Sequence, residues 1–405
     1  MRLLLAILIL LSAMPDTMAA PVVKELFMDR YGASAGLAQM FNGINLFGAF
    51  AALPLLWLVR RRDYSMEMVF WGSIADALLL GAMACPLGLE WTLVVRALEG
   101  VTDVIVFAAL FDLVRRASKD HVATGMGIAS TPLLLGLGLG AMFGGVVVRQ
   151  SQGGSSALWL FGLSAGLSLL VALIILLTRS TMRRSALAHR RVDTSEPVER
   201  VAELSDQDPI WPSLAMTFSD RATGGLITGT LPIALAQVLG YSPLARGLLV
   251  GLPLLLMALG TGPAGWLCDR FGSLRVRVIA GVAYAAGFAL LSSVGDQPLP
   301  LGAVMLVIGL SASALFSSSM ALVVRSGSAT MALGAFRGAG DLGFLSGTAL
   351  SVLLLASLGG EAPTYANYAD VLIIFAGFHL LTTVIAGLAL RLARARGARP
   401  HGTSG

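Results

Sequence analysis

Twelve apolar stretches of roughly 18 residues or more recur along the 405-residue chain, each about the length that crosses a bilayer as a helix. Between them the sequence has too little charge to clothe a water-soluble surface: 13% of residues are charged against 56% hydrophobic. The runs are rich in Leu, Ala and Gly and lack the period-two alternation of a membrane barrel. An all-α membrane protein follows, with spans near 2–23, 34–58, 66–87, 90–114, 124–148, 156–178, 211–238, 243–267, 276–294, 299–324, 331–357 and 368–391. Glycine, at 47 residues, suits it, because small residues let membrane helices approach closely.

The excess of basic residues reads as topology. Twenty-one of the 28 Lys and Arg fall on the side that carries both termini, while the opposite loops hold only Lys24, Arg30, Arg149 and Arg246. The positive-inside rule therefore places both termini in the cytoplasm of a cell with an inner (plasma) membrane. A nucleic-acid surface would instead gather its bases on one domain with aromatics among them, so no nucleic-acid partner is expected. Arg2 and the apolar run after it resemble a cleavable leader, but Pro15 and Asp16 interrupt the place where cleavage would fall. The segment is therefore taken as the first span.

The long polar stretch 179–209, basic first and acidic later, divides six spans from six. Domains are expected at 1–178 and 210–393, with that linker between them and a cytoplasmic tail at 394–405. The halves echo each other. Pro263 to Arg270 aligns without gaps on Pro54 to Arg61, sharing the Pro, the Trp-Leu pair and the final Arg. Gly136 and Gly140 are answered by Gly343 and Gly347, and Asp16 by Asp220. Parallel six-span repeats imply two bundles with a substrate path between them. The two cysteines, Cys85 and Cys268, form no metal or redox pattern and are read as small core residues.

Three motifs carry a family resemblance. Gly265-Trp-Leu-Cys-Asp-Arg-Phe-Gly272, with Arg275 and Arg277 after it, forms a charged, glycine-bounded turn directly after a long apolar run. Arg96-Ala-Leu-Glu99-Gly100 lies in the fourth span, and Gly136, Gly140, Gly144 and Gly145 punctuate the fifth. Over essentially its whole length the chain resembles the major facilitator superfamily. The first motif resembles that family's loop between spans 8 and 9, the second its fourth-span arginine motif, the third its antiporter motif. Two departures stand out: Glu99 replaces a Gln, and Ala141 replaces the Pro that usually follows the central Gly. The resemblance implies alternating access between two bundles, with the Gly265, Asp269, Arg270, Gly272 and Arg275 loop acting as a gate. The plainer reading of that loop is a turn whose charges only set topology. The N-terminal copy has lost the pattern, since Arg60 stands where the acid would be and Asp63 where the second Gly would be.

The residues themselves point to chemistry in the fourth span. Arg96, Glu99 and Asp103 share one helical face, and ionisable groups inside a span are costly unless paired or facing water. Asp16 is a candidate partner for Arg96. Two readings fit: a proton-exchange site, or a static network stapling spans 1 and 4. Asp220 has the same ambiguity, while Arg337 and Asp341, four apart, read as a structural pair. Asp76, Asp112 and His379, taken singly, read as satisfied polar groups. Glycines four apart on the fifth span make a groove for another helix.

Absent motifs narrow the function. There is no Walker loop, no His-Glu-x-x-His and no Cys-x-x-Cys, so the chain is expected to use no ATP, metal or cofactor and not to be an enzyme. The expected function is secondary transport of a small molecule, proton-coupled antiport of an organic or amphipathic compound outward, by a monomer in the bilayer. Its rivals are a proton-linked importer of a metabolite and a non-transporting sensor or scaffold.

Overall fold

The computed structural model describes residues 2–59, 65–117, 122–151, 155–190, 208–295, 297–324, 329–360 and 363–397. Arg60, Arg61, Asp63 and most of the expected linker lie outside them. Among the described residues there is no strand; the chain is a succession of α-helices. They are α1 (Arg2–Met18), α2 (Ala35–Val59), α3 (Ser65–Ala84), α4 (Leu89–Ala117), α5 (Val122–Gln150), α6 (Ser156–Arg190) and α7 (Ile210–Gly229). Then follow α8 (Leu231–Gln237), α9 (Pro243–Phe271), α10 (Ser273–Leu291), α11 (Pro298–Val324), α12 (Ala329–Gly359) and α13 (Tyr365–Gly397). Helix is what lipid demands, since every backbone donor must find its acceptor within the segment. Nine helices among the described residues are long and apolar enough to cross a membrane by that measure alone.

The boundaries have local causes. The expected seventh span is two helices, α7 and α8, because Pro232 lacks an N–H and sits in the first turn of the second piece. Past α1 the chain tightens into a 3-10 turn, Ala20–Val22, then widens into a π-helical segment, Lys24–Asp29. Ser242 opens α9, its Oγ accepting from the Ala245 amide at 3.3 Å. Gly272, at φ 87°, separates α9 from α10; a side chain would be strained there, which accounts for a glycine ending the charged loop. α6 runs on to Arg190, well past its expected end.

Cα proximity divides the molecule into residues 1–197 with 227–258, and residues 198–226 with 259–405. The first unit thus takes the end of α7, all of α8 and the first part of α9. Asn42 donates to the Thr228 carbonyl at 3.0 Å, Thr230 meets Gln39 at 3.2 Å, and Ile233 packs among Met18, Val22, Phe27 and Phe41.

Polarity is arranged inside out relative to a protein in water. Leu78, Leu177 and Ile279 are each at least 70% exposed, whereas Arg96, Glu99, Arg246, Arg277 and His379 are at most 3% exposed. Apolar surface faces outward because a hydrocarbon solvent accepts it, and charge retreats into the bundle to find partners. Cys268 follows the expectation of a buried core residue, but Cys85 does not: it is exposed just past the end of α3, where the chain leaves the helix.

Candidate functional site

Glycine sets the backbone frame on which the charged groups hang. A Cβ at Gly136, Gly140 or Gly144 of α5 would strike the carbonyls of Leu10, Met14 or Met18 of α1. The expected groove is therefore present and filled by α1, whose residues rise in step with those of α5. Gly145, on another face, abuts Pro243 and Gly247 of α9. In the second unit Gly343 and Gly347 of α12 meet the Phe218 and Ala222 carbonyls of α7 in the same manner. Such contact excludes any side chain and fixes the register of each pair.

The tight α1–α5 pair stands beside α4, which carries the first charged cluster. Arg96 and Glu99 form a buried ion pair at 2.6 Å. The arginine also lies over the Phe41 ring, 5.0 Å from its centre, and donates to the Asp16 backbone carbonyl at 3.4 Å. Asp16, the candidate partner of Arg96, meets it through its backbone carbonyl, and Glu99 pairs with the same guanidinium from its own helix. The reason is helical spacing, since residues three apart on one helix already face each other. Asp103 lies a turn beyond Glu99, and Asp16, Glu99 and Asp76 are all close enough to act on it electrostatically. Asp76 of α3, a solitary acid in the sequence, joins this cluster. It receives Ser168 of α6 at 2.6 Å and Thr102 of α4 at 3.2 Å, and Thr102 donates as well to the Glu99 carbonyl at 2.8 Å. Four carboxylates thus surround one guanidinium, and Glu99 Oε2 and Arg96 Nε are buried without a hydrogen-bond partner. Solvent-filled or ligand-filled space, or a proton, is what such groups call for.

The second unit holds a separate cluster. Asp220 of α7 accepts from Arg277 of α10 at 2.7 Å, and Arg277 also donates to the Met216 carbonyl at 3.2 Å. His379 of α13 approaches the same Asp220 oxygen, its Nδ1 3.6 Å away. Its ring lies against Tyr284, with centres 4.9 Å apart, and the Tyr284 hydroxyl is 3.1 Å from Thr223 Oγ1. In sequence, Arg277 is one more cation after the glycine-bounded loop, and His379 is a lone polar group in an apolar run. No periodicity could join them, because α7, α10 and α13 are far apart in sequence. A charge within a few residues of a loop, in a segment otherwise apolar, was the one available signal.

In the glycine-bounded loop the arginine rests on aromatic rings. Arg270 lies over its neighbours Trp266 and Phe271, 5.3 and 5.7 Å from their ring centres. Asp269 and Arg275 are exposed, and no ion pair links Asp269 to any described residue. An arginine so exposed gains from resting on an aromatic face as much as from a solvated carboxylate. Gly265 has open space around it. Of the remaining candidates, Arg337 and Asp341 pair at 2.8 Å as expected, and Asp112 is held by Ser65 at 2.7 Å and Arg116 at 2.6 Å. A pair the sequence did not suggest joins Arg246, at the start of α9, to Glu25 in the π-helical segment.

No group of three or more His, Cys, Asp or Glu capable of holding a metal occurs among the described residues.

Comparison with known proteins fits this architecture. The sequence profile described as Major Facilitator Superfamily matches residues 5–219 and again residues 213–405, once for each repeat. A chloroplastic protein of Arabidopsis thaliana, named sodium-dependent phosphate transport protein 1, is 24% identical over 339 residues, which cover 78% of this chain and 64% of that protein's length. Among solved structures, a bacterial homologue of the human lysosomal transporter Spinster, inward-facing and unoccupied, superposes with a TM-score of 0.74 at 15% identity, covering 98% of this chain and 97% of the other. A variant of the peptide transporter POT in complex with sulfate gives 0.73 at 14% identity, over 98% and 95% of the two chains. The nucleoside transporter NupG gives 0.68 at 16%, over 97% and 98%.

Proposed function

The chain belongs to the major facilitator superfamily, and on that premise we propose that it exports a small organic or amphipathic compound in exchange for protons. It is a multi-pass membrane protein of twelve membrane helices in two six-helix repeats, and a transporter of the secondary type. Proton coupling, outward direction and cargo class are the proposal, as are an inner-membrane location with cytoplasmic termini and the bundles at 1–178 and 210–393.

The observation that carries the reading is the surplus of acid over base around Arg96. Asp16, Asp76, Glu99 and Asp103 act on one another within a membrane interior that holds one arginine among them. Full ionisation of all four is costly in low dielectric, so some cation must be present, whether a proton or the positive group of a cargo. If the two compete for the same carboxylates, uptake of one expels the other, which is the minimum requirement of antiport. Arg96 holds Glu99 ready, and the Asp103 carboxyl one turn on is the exchanging group, with Asp16 beside it. The loop from Gly265 to Arg275 serves as a gate, through contacts that differ between access states. A second reading, uptake of a small metabolite, is favoured by the relative named a phosphate transport protein.

The test uses inverted vesicles with an acidified interior and a pH-sensitive dye, challenged with cationic drugs, amino acids, sugars and organic acids. Compound-dependent proton release is expected, and it should vanish in Asp16→Asn and Asp103→Asn. Silence across the panel from folded protein, or release unchanged in both variants, would remove the proposal.

A further inference from the structure

We propose that Asp220 and His379 form a buried proton-exchange site in the second half of the chain, in which protonated Asp220 donates to the imidazole and lets go of Arg277. The site draws its use in transport from the proton-coupled reading above, but its chemistry can be measured with no transport at all.

Two neighbours compete for one oxygen. Asp220 Oδ1 takes the Arg277 hydrogen bond at 2.7 Å and lies 3.6 Å from His379 Nδ1. The second distance is too long for a hydrogen bond, yet a small rotation of the carboxyl closes it. His379 is fully buried, and neither ring nitrogen has a hydrogen-bond partner; the Ser219 carbonyl lies alongside without meeting the geometry. Arg277, also fully buried, has Nε and Nη1 unpartnered, and so has Thr383 Oγ1, which abuts α10 at Gly281. These unpartnered polar atoms on α10 and α13 leave the hydrogen bonding of the cluster incomplete in this state.

The chemistry of the partners defines the other state. An ionised carboxylate can only accept, so it holds the guanidinium and offers no hydrogen to the lone pair of the imidazole. One proton from solvent turns the same group into an O–H donor. Neutral imidazole has a free lone pair on Nδ1 when Nε2 carries the hydrogen, and it accepts that O–H. No other bond changes: the site gains one positive charge, and Arg277 loses its ionic partner. The charged and titratable groups facing the histidine are Asp220 from α7, and Arg277 and Tyr284 from α10. Ser319 of α11 also reaches Asp220. Arg221, next to Asp220, is repelled by Arg337 and attracted by Asp341, both of α12.

What the release would move follows from chain position. Arg277 lies in the first turns of α10, five residues past Gly272, where the glycine-bounded loop ends. Its bonds to Asp220 and to the Met216 carbonyl tie the start of α10 to α7. Loss of the ionic bond frees the segment that follows the gate, so the proton state of a buried acid is passed to the loop through one side chain.

Infrared difference spectra of the purified full-length protein, taken between about pH 8 and about pH 5, test the site directly. A protonated-carboxyl band is expected that is absent from Asp220→Asn. The band should move to the frequency of a carboxyl without a hydrogen bond in His379→Leu, and stay near its native place in His379→Gln, whose amide oxygen can accept. Absence of any band belonging to Asp220, or a band indifferent to His379→Leu, would overturn the proposal. If His379→Leu does not survive purification, ring-labelled native protein decides: the His379 Nδ1 resonance must change on acidification, and constancy refutes the site. Proton release in the vesicle assay is scored separately, so a failed exporter with an intact band remains distinguishable from a failed site.

Discussion

In the first half α5 grips α1 along Gly136, Gly140 and Gly144; in the second, α12 grips α7 along Gly343 and Gly347. Gly140 meets the Met14 carbonyl and Gly347 meets that of Ala222, so the two pairs share one register. In that register Asp16 lies two residues after its contact point, whereas Asp220 lies two residues before its own. The acids that answer each other in sequence are thus a full turn apart, about 6 Å along the helix axis. Their surroundings differ accordingly. Asp16 joins three other acids around Arg96, while Asp220 shares its oxygen between an arginine and a histidine. The packing has stayed common to both halves and the chemistry has not, because a close backbone contact tolerates only glycine whereas a polar chamber can be satisfied in several ways.

The largest expected effect comes from stripping either cluster of its arginine. Arg96→Ala and Arg277→Ala each strand a buried carboxylate and should cost about 3–5 kcal/mol, read as a lowered unfolding midpoint in detergent. Arg337→Ala removes one side of a half-exposed pair and should cost about 0–1 kcal/mol. Equal losses across the three would erase the distinction between buried clusters and surface pairing.

Next in size is the test of shared packing. Gly140→Ala and Gly347→Ala each drive a Cβ into a backbone carbonyl and should lose about 1–3 kcal/mol apiece, to a similar extent. Gly162→Ala, at a position with open space around it, should be neutral or gain up to about 1 kcal/mol from helix propensity. Unequal responses of the first two would break the correspondence of the halves.

The smallest effect on stability belongs to the loop. Asp269 is exposed and without an ionic partner among the described residues, so Asp269→Asn should leave the unfolding midpoint unchanged while slowing transport several-fold. Transport at the native rate would remove the gating role and leave the loop as a topological turn.

Much of this molecule is written in local sequence. Long apolar runs must become helices, because lipid offers backbone groups no alternative partner. The family motifs, the glycine grooves on α5 and α12, and the i, i+3 pairing of Arg96 with Glu99 all follow from spacing along a single helix. The seventh span, expected unbroken over 211–238, is divided at Pro232, and only the structure shows how short the second piece is. Contacts that join distant segments were not legible. Arg277 read as one more loop cation, yet it is fully buried on Asp220; His379 read as a solitary polar residue, and Glu25 with Arg246 gave no sign of pairing. Periodicity states which side of a helix a residue occupies, but the neighbour across the gap depends on how helices are rotated and staggered. That choice belongs to tertiary packing, and here the glycine contacts make it.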